Sequence, residues 1–240
     1  MKEYHKIQTV FKRDPATKHK NLLEGQYSLP VFEYLADNEW TFTEKIDGTN
    51  IRIMFEDGAV TFGGKTDNAQ IPAFLVQKLM EYFTPEKLLS IFPDGNACLY
   101  GEGYGARIQK GGGLYIPNGV DFILFDVLCG GYWLERANVG DVAGKCGIGV
   151  VPVIGTGSLQ DAIEETRRGF PSAIGQCVAE GMVMRPAVEM FDRAGHRVIT
   201  KIKHKDFCAP VVVAEPAPSL KVGERVTRQL TADNQSGCSV

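Results

Sequence analysis

No run of this 240-residue chain approaches the roughly 18 to 20 consecutive apolar residues of a membrane-spanning helix. The opening Met1-Lys2-Glu3-Tyr4-His5-Lys6 lacks the apolar stretch of a secretory signal. A soluble, cytoplasmic protein with no membrane partner is therefore the expectation. Cysteine is sparse and scattered: Cys98, Cys129, Cys146, Cys177, Cys208 and Cys238 form no Cys-x-x-Cys pair and have no histidine at zinc spacing. Buried or free thiols are expected instead. Positive charge is not in excess, since the formal net charge is −3. That argues against coating nucleic acid by bulk electrostatics, so any such contact must be local. There is no internal repeat or low-complexity tract. The single glycine run, Gly111-Gly112-Gly113, lacks the Gly-Lys-Ser/Thr ending of a phosphate-cradling loop and reads as a flexible linker.

What is present suits one domain with a generous core, at 44% hydrophobic residues. Basic residues cluster at Lys12, Arg13, Lys18, His19 and Lys20, at Arg107 and Lys110, and at Lys201, Lys203, His204 and Lys205. The first cluster reads equally as a solvated face. Residues 39–46 alternate loosely, turn at Asp47-Gly48 and continue as Ile51 to Phe55; a second turn at Asp57-Gly58 leads into Ala59 to Phe62. Together these predict a meander. Pro72 followed by Phe74, Leu75, Leu79, Met80 and Phe83 predicts a helix, with a second around Glu86 to Ile91. Strand character returns at 97–101, 120–128, 177–185 and 197–202, and Ser158 caps a further helix. Strands interrupted by helices, without regular crossovers, predict an α+β domain of antiparallel β-sheets flanked by helices.

Five segments carry the chemistry. They are Glu44-Lys45-Ile46-Asp47-Gly48-Thr49-Asn50, Tyr100-Gly101-Glu102-Gly103, Phe122 to Asp126, Glu180 to Arg185, and Lys201-Ile202-Lys203. A lone Lys-x-Asp-Gly is first of all a turn. A nucleophilic lysine must be a free amine, which requires desolvation or cationic neighbours. Lys201 and Lys203, two apart on a strand, project from one face, as two donors to one phosphate would. Phe125 can stack on a base, though every side chain of Phe122 to Phe125 is equally compatible with a core.

In this order the segments resemble motifs I, III, IIIa, IV and V of the covalent nucleotidyltransferases, the superfamily of ATP-dependent DNA ligases, RNA ligases and mRNA capping enzymes. The resemblance spans about residues 40 to 207. It implies an ATP-grasp-like nucleotidyltransferase fold in which Lys45 attacks the α-phosphorus of ATP and becomes a lysyl-AMP. By the same resemblance Lys201 and Lys203 hold the α-phosphate and offset its charge, Glu102 faces the ribose, Glu180 works near Mg²⁺ (or Mn²⁺) as a metal ligand, and Phe125 supports the adenine. Glu44, Ile46, Asn50 and Lys65 complete the nucleotide contacts.

Asn50 closes the first motif where DNA ligases and capping enzymes usually have arginine. The pattern Lys-x-Asp-Gly-x-Asn is similar to RNA ligases of the phage T4 RNA ligase 2 and kinetoplastid editing type. Lys65 stands where that branch has arginine, keeping the charge without the bidentate fork. Residues 1–207 read as the adenylyltransferase domain. The tail 208–240, interrupted by Pro210, Pro216 and Pro218, is too short for an OB-fold or a full helical C-terminal domain. The expected function is ATP-dependent joining of RNA 3′-OH and 5′-phosphate ends in RNA repair, on nicked duplex RNA or an RNA-containing hybrid, with an accessory RNA-binding partner as a further expectation. DNA nick sealing, or a nucleotide- or RNA-binding module without turnover, are the alternatives.

Overall fold

The computed structural model describes residues 3–208, and the first compact unit of the chain ends at Cys208. The tail 209–240, including Cys238 and the three prolines, lies outside the described residues. Strands β1 (Gln8–Thr9), β2 (Phe11–Arg13) and β3 (Leu22–Tyr27) precede helix α1 (Pro30–Tyr34) and strand β4 (Trp40–Glu44). Then come β5 (Thr49–Glu56), β6 (Ala59–Gly63), α2 (Ala73–Tyr82), α3 (Pro85–Ile91) and β7 (Asn96–Gly105). The chain continues through β8 (Val120–Cys129), β9 (Tyr132–Trp133), α4 (Arg136–Cys146), β10 (Gly149–Val150), β11 (Val153–Gly157), α5 (Leu159–Arg168), β12 (Gly181–Pro186) and β13 (Thr200–Lys203).

Two main sheets result. One runs β1-β13-β12-β4-β11, the other β10-β8-β7-β5-β6 with β9 also on β8; β2 and β3 form a separate ladder. Pairing is antiparallel except at β1–β13 and β10–β8. Each main sheet buries one face under its own helices. Ile51, Ile53, Phe55, Leu99, Phe122 and Leu124 pack with Leu75 and Leu79 of α2, Leu88 of α3 and Val139 of α4. Trp40, Phe42, Met182, Met184 and Ile202 pack with Phe32 of α1 and with Leu159 and Ile163 of α5. Each such side chain contributes about 1.5–3 kcal/mol on full burial. Because strand side chains alternate, the residues between these anchors face the other way, and there the two sheets meet. No helix among the described residues is long and apolar enough to cross a membrane.

The helices expected after Pro72, near Glu86 and after Ser158 are all present. The last opens with a reciprocal capping box between Ser158 and Asp161. Half of the expected meander is also present: β5 and β6 pair through Asp57 (φ 51) and Gly58 (φ 77), as a tight hairpin requires. The other half is not. Asp47-Gly48 is not a hairpin turn, because β4 and β5 belong to different sheets and the segment crosses between them. Gly48 is needed for close approach, since a Cβ there would lie 2.3 Å from the Gly103 carbonyl oxygen. Nor is Gly112 an open linker: it starts a 3-10 turn, and a Cβ on it would lie within van der Waals overlap of the Gly105 carbonyl oxygen. The strands expected at 177–185 and 197–202 begin only at Gly181 and Thr200.

Candidate active site

Between the two sheets lies a cavity of about 360 Å³, within the range of small-molecule sites. Lys45 enters it from the end of β4, where its backbone N–H donates to the Gly181 carbonyl at 2.9 Å. Its Nζ lies 2.5 Å from Glu180 Oε2, and Lys203 Nζ lies 2.5 Å from Glu180 Oε1. Glu180 can sit there because Gly181 follows it. That residue has φ 154, and a Cβ would approach the Ile202 carbonyl oxygen to 2.0 Å, so only glycine lets β12 start this close to β13. Burial pushes the Glu180 carboxyl up, but Lys45 and Lys203 outweigh it and hold it below the ordinary range.

Lys201, two residues before Lys203 on β13, lines the cavity, as do Lys65, Asn50, Glu102 and Phe125. Burial first, then the charges of Lys45, Lys203 and Lys65, lower Lys201 to about 8. Burial raises Glu102 to about 7, against the pull of Lys45. Lys45, Lys65 and Lys201 on the cavity wall, with Lys203 behind them, thus outnumber Glu102 and Glu180, an excess of positive charge that an anionic ligand would complete. Asn50 stands opposite Glu102 in the β5–β7 register. Its Oδ1 is buried and has no hydrogen-bond partner among the described residues.

Glu44 and Ile46 also border the cavity. Ile46 packs into a small cluster with Ile123 and Val151. The Glu44 carboxylate is turned away: it accepts from Ser172 Oγ at 2.5 Å and from the Ala173 N–H at 2.8 Å. Glu180 and Lys203 stand behind Lys45 rather than on the cavity wall.

Phe125 owes its position to a bulge. Tyr100 pairs with Asp126 and Gly101 with Leu124, which leaves Phe125 as the extra residue on β8. Phe125 and Asp126 therefore turn toward the same side, while Leu124 and Val127 point into the helical core. Asp126 is fully buried and accepts from Tyr4 Oη at 2.7 Å, Arg185 Nη2 at 3.0 Å and Arg197 Nη1. Tyr4 in turn packs edge-on to Phe125, with ring centroids 5.1 Å apart. The ring at the cavity wall is thereby held by a buried charge network. Reasoning from sequence missed Tyr4, His5, Lys6 and Ile7, which line the cavity, and Arg185, which joins them. Arg185 ends a motif already singled out, whereas the residues around Tyr4 show no periodic pattern that would have marked them.

No group of three or more His, Cys, Asp or Glu among the described residues is arranged to hold a metal on its own. The donors do suit a shared ion: Mg²⁺ usually takes one or two carboxylates and completes its shell with water and substrate phosphates. Glu180 and Glu102 are the carboxylates at hand.

A family model described as RNA ligase matches residues 38–203, and the chain belongs to the RNA ligase family. No curated protein sequence matches it. Solved structures of a Naegleria gruberi RNA ligase share the fold. A point mutant with ATP and Mn has a TM-score of 0.59 at 19% identity, covering 86% of this chain and 59% of that one. The structure with PPi has a TM-score of 0.57 at 18% identity, covering 83% and 56%. A mutant with AMP and Mn has a TM-score of 0.56 at 18% identity, covering 74% and 53%. This chain thus spans little more than half the length of the solved chains it matches.

Proposed function

We propose that the protein is an ATP-dependent RNA ligase that works through a lysyl-AMP on Lys45, with residues 1–207 as its adenylyltransferase domain and 208–240 as an appended tail. The observation that carries this is a lysine held against a carboxylate that a second lysine also grips, at the edge of a nucleotide-sized, lysine-rich cavity. Family membership and neighbours solved with ATP, AMP, PPi and Mn support it.

In the first step Lys45 releases to solvent the proton it holds against Glu180 and attacks the α-phosphorus of ATP as the free amine. An N–P bond forms, the bond to the bridging oxygen breaks, pyrophosphate leaves with that electron pair, and the nitrogen sheds a second proton to solvent. Lys201 and Lys65, facing the cavity, offset the charge that builds on the phosphate oxygens. Lys203 holds Glu180 in place, which orients Lys45 in turn. A divalent ion bound by Glu180 together with substrate phosphates would neutralise further charge there. Phe125 offers its ring to the adenine, Glu102 and Asn50 face the ribose, and Ile46 closes the apolar side. Glu44, its carboxylate occupied, contributes through its main chain.

In the second step an oxygen of an RNA 5′-phosphate attacks the same phosphorus, the N–P bond breaks, and Lys45 regains a proton as AppRNA forms. In the third, the RNA 3′-hydroxyl loses its proton and attacks the 5′-phosphorus, expelling AMP. Activation replaces a poor phosphate leaving group by AMP.

The test is incubation with labelled ATP and Mg²⁺ followed by denaturing electrophoresis and matched nick-sealing assays. The protein should take up one AMP in an acid-labile, base-stable bond. Lys45→Ala should abolish the uptake while keeping the fold by circular dichroism. Covalent AMP on the alanine variant would refute the nucleophile, and all-DNA nicks sealed as fast as RNA-containing ones would refute the RNA assignment.

A further inference from the structure

We propose that Lys12, Lys18, Lys20 and Lys205, on segments that Arg13 ties together, form a docking surface for the phosphate backbone of RNA that extends the basic track of β13 away from the cavity. This rests on the RNA ligase reading above.

The placement follows from the β1–β13 edge. Thr9 pairs with Lys201, and Val10 N–H donates to the Lys201 carbonyl at 3.0 Å, so the chain leaving β1 runs alongside the strand that carries Lys201 and Lys203. Arg13, at the end of β2, then ties three segments together. Its Nη2 donates to both carboxylate oxygens of Asp206, at 3.0 and 3.1 Å, next to Lys205. Its Nη1 donates to the Lys20 carbonyl at 3.0 Å and, at 3.5 Å, to that of His19. The loop carrying Lys18, His19 and Lys20 is thereby pinned to the chain just past β13.

The loop is also held in a costly shape. Lys18 (φ 53) and His19 (φ 61) are consecutive non-glycine residues in the left-handed region, and Asp14 fixes the preceding turn by accepting from the Ala16 N–H. Such strain persists only where surrounding contacts impose it, and it concentrates at sites of function. Here its effect is to present cations outward.

Charge accounting singles the surface out. Arg13 is neutralised by Asp206, and Arg167 nearby by Glu24. Lys12, Lys18, Lys20 and Lys205 are exposed and have no acidic partner among the described residues. In a chain of net charge −3, four exposed lysines on segments that Arg13 ties together form a local anion-binding surface. Since lysine reads phosphate as a point charge rather than by bidentate geometry, the contact should be insensitive to base sequence.

The experiment measures binding of a fluorescent single-stranded RNA by anisotropy across a salt series, alongside AMP uptake. The test variant is Lys12→Ala, Lys18→Asn, Lys20→Ala, with asparagine chosen because it tolerates the left-handed backbone. A control, Lys78→Ala, Lys87→Ala, Lys145→Ala, removes equal charge from helices α2, α3 and α4. At about 0.7 per phosphate contact, loss of three contacts should flatten the log–log salt slope by about 2 and weaken low-salt binding by about tenfold or more. The control should keep the wild-type slope, and all three proteins should take up AMP equally. An unchanged slope in the test variant, or an equal change in the control, overturns the surface while leaving the ligase reading intact. Failure of the wild type to take up AMP overturns the ligase reading, whatever the slopes show. Absence of RNA binding by the wild type overturns the surface, and AMP uptake still decides the ligase reading.

Discussion

Glu102 sets a stability penalty that can be switched off. Its carboxyl is raised from an ordinary 4.5 to about 7, mainly because the cavity wall withholds water from it. A tenfold change in proton affinity is worth about 1.4 kcal/mol. The displacement, discounted for the access the open cavity allows, therefore costs the folded protein about 2 to 3 kcal/mol once the group is ionised. The sign follows from the direction. A folded-state value above the unfolded one means that the contribution is intact below pH 4.5 and is lost as pH rises through 7.

Glu102→Gln removes the titration and keeps nearly the same shape. Urea unfolding of both proteins without ATP, from pH 4.5 to 8, should show the glutamine variant gaining on the wild type by about 2 to 3 kcal/mol across that range, with the rise centred between the two values. In a domain of this size the gain corresponds to roughly 4 to 12 °C in Tm. Taking the difference between the two proteins cancels every other group that titrates in the same window. If Glu102 faces the ribose as proposed, bound ATP sets hydroxyl donors against the carboxylate, which favours its ionised form and should shrink the pH dependence of the wild type. A difference that stays flat from pH 4.5 to 8 would show that Glu102 is not desolvated as its position indicates, and would remove the argument that the site holds a carboxylate at a cost.

Lys201, lowered to about 8, should make ATP binding by the wild type weaken as pH rises past 8. Lys201→Arg should flatten that dependence between pH 7 and 9 in a calorimetric titration, because guanidinium keeps its proton. Gly48→Ala should lose AMP uptake and about 1 to 3 kcal/mol of stability in urea unfolding, since the new methyl would meet the Gly103 backbone and displace the segment that carries Lys45. A Gly48→Ala protein with wild-type uptake would mean that the two sheets tolerate a shift at their crossing.

Much of the local structure was legible because local chemistry decides it. Pro72 and Ser158 open helices at their own positions, and Asp57-Gly58 supplies the two positive φ angles of a tight hairpin. Helix α4 was not legible. Gly140 and Gly144 interrupt it, and what fixes it is the burial of Val139, Val142, Ala143 and Cys146 against the six-stranded sheet. Asp47-Gly48 misled for a related reason. The dipeptide has the composition of a turn whether the strands on either side pair with each other or leave for different sheets, and only the rest of the fold chooses.

The same distinction governs the candidate site. Lys45, Asn50, Lys65, Glu102, Phe125 and Lys201 line one cavity; alternation along β5, β7 and β13 fixes the faces of Asn50, Glu102 and Lys201, whereas Lys45 and Lys65 lie just past strand ends and Phe125 is turned by a bulge. Charge pairing across sequence has no such periodicity. Asp126 is matched by Tyr4, 122 positions away, and by Arg185 and Arg197, 59 and 71 away. That network makes Phe125 a fixed wall. A single hydrophobic ring in a bulge could flip into the core with Leu124. Carrying a neighbouring carboxylate that must remain paired with two arginines, the bulged segment is committed to the cavity side, because burying that carboxylate unpaired would cost several kcal/mol. The order of the cavity wall is thus secured by ion pairs and a hydrogen bond between residues far apart in sequence.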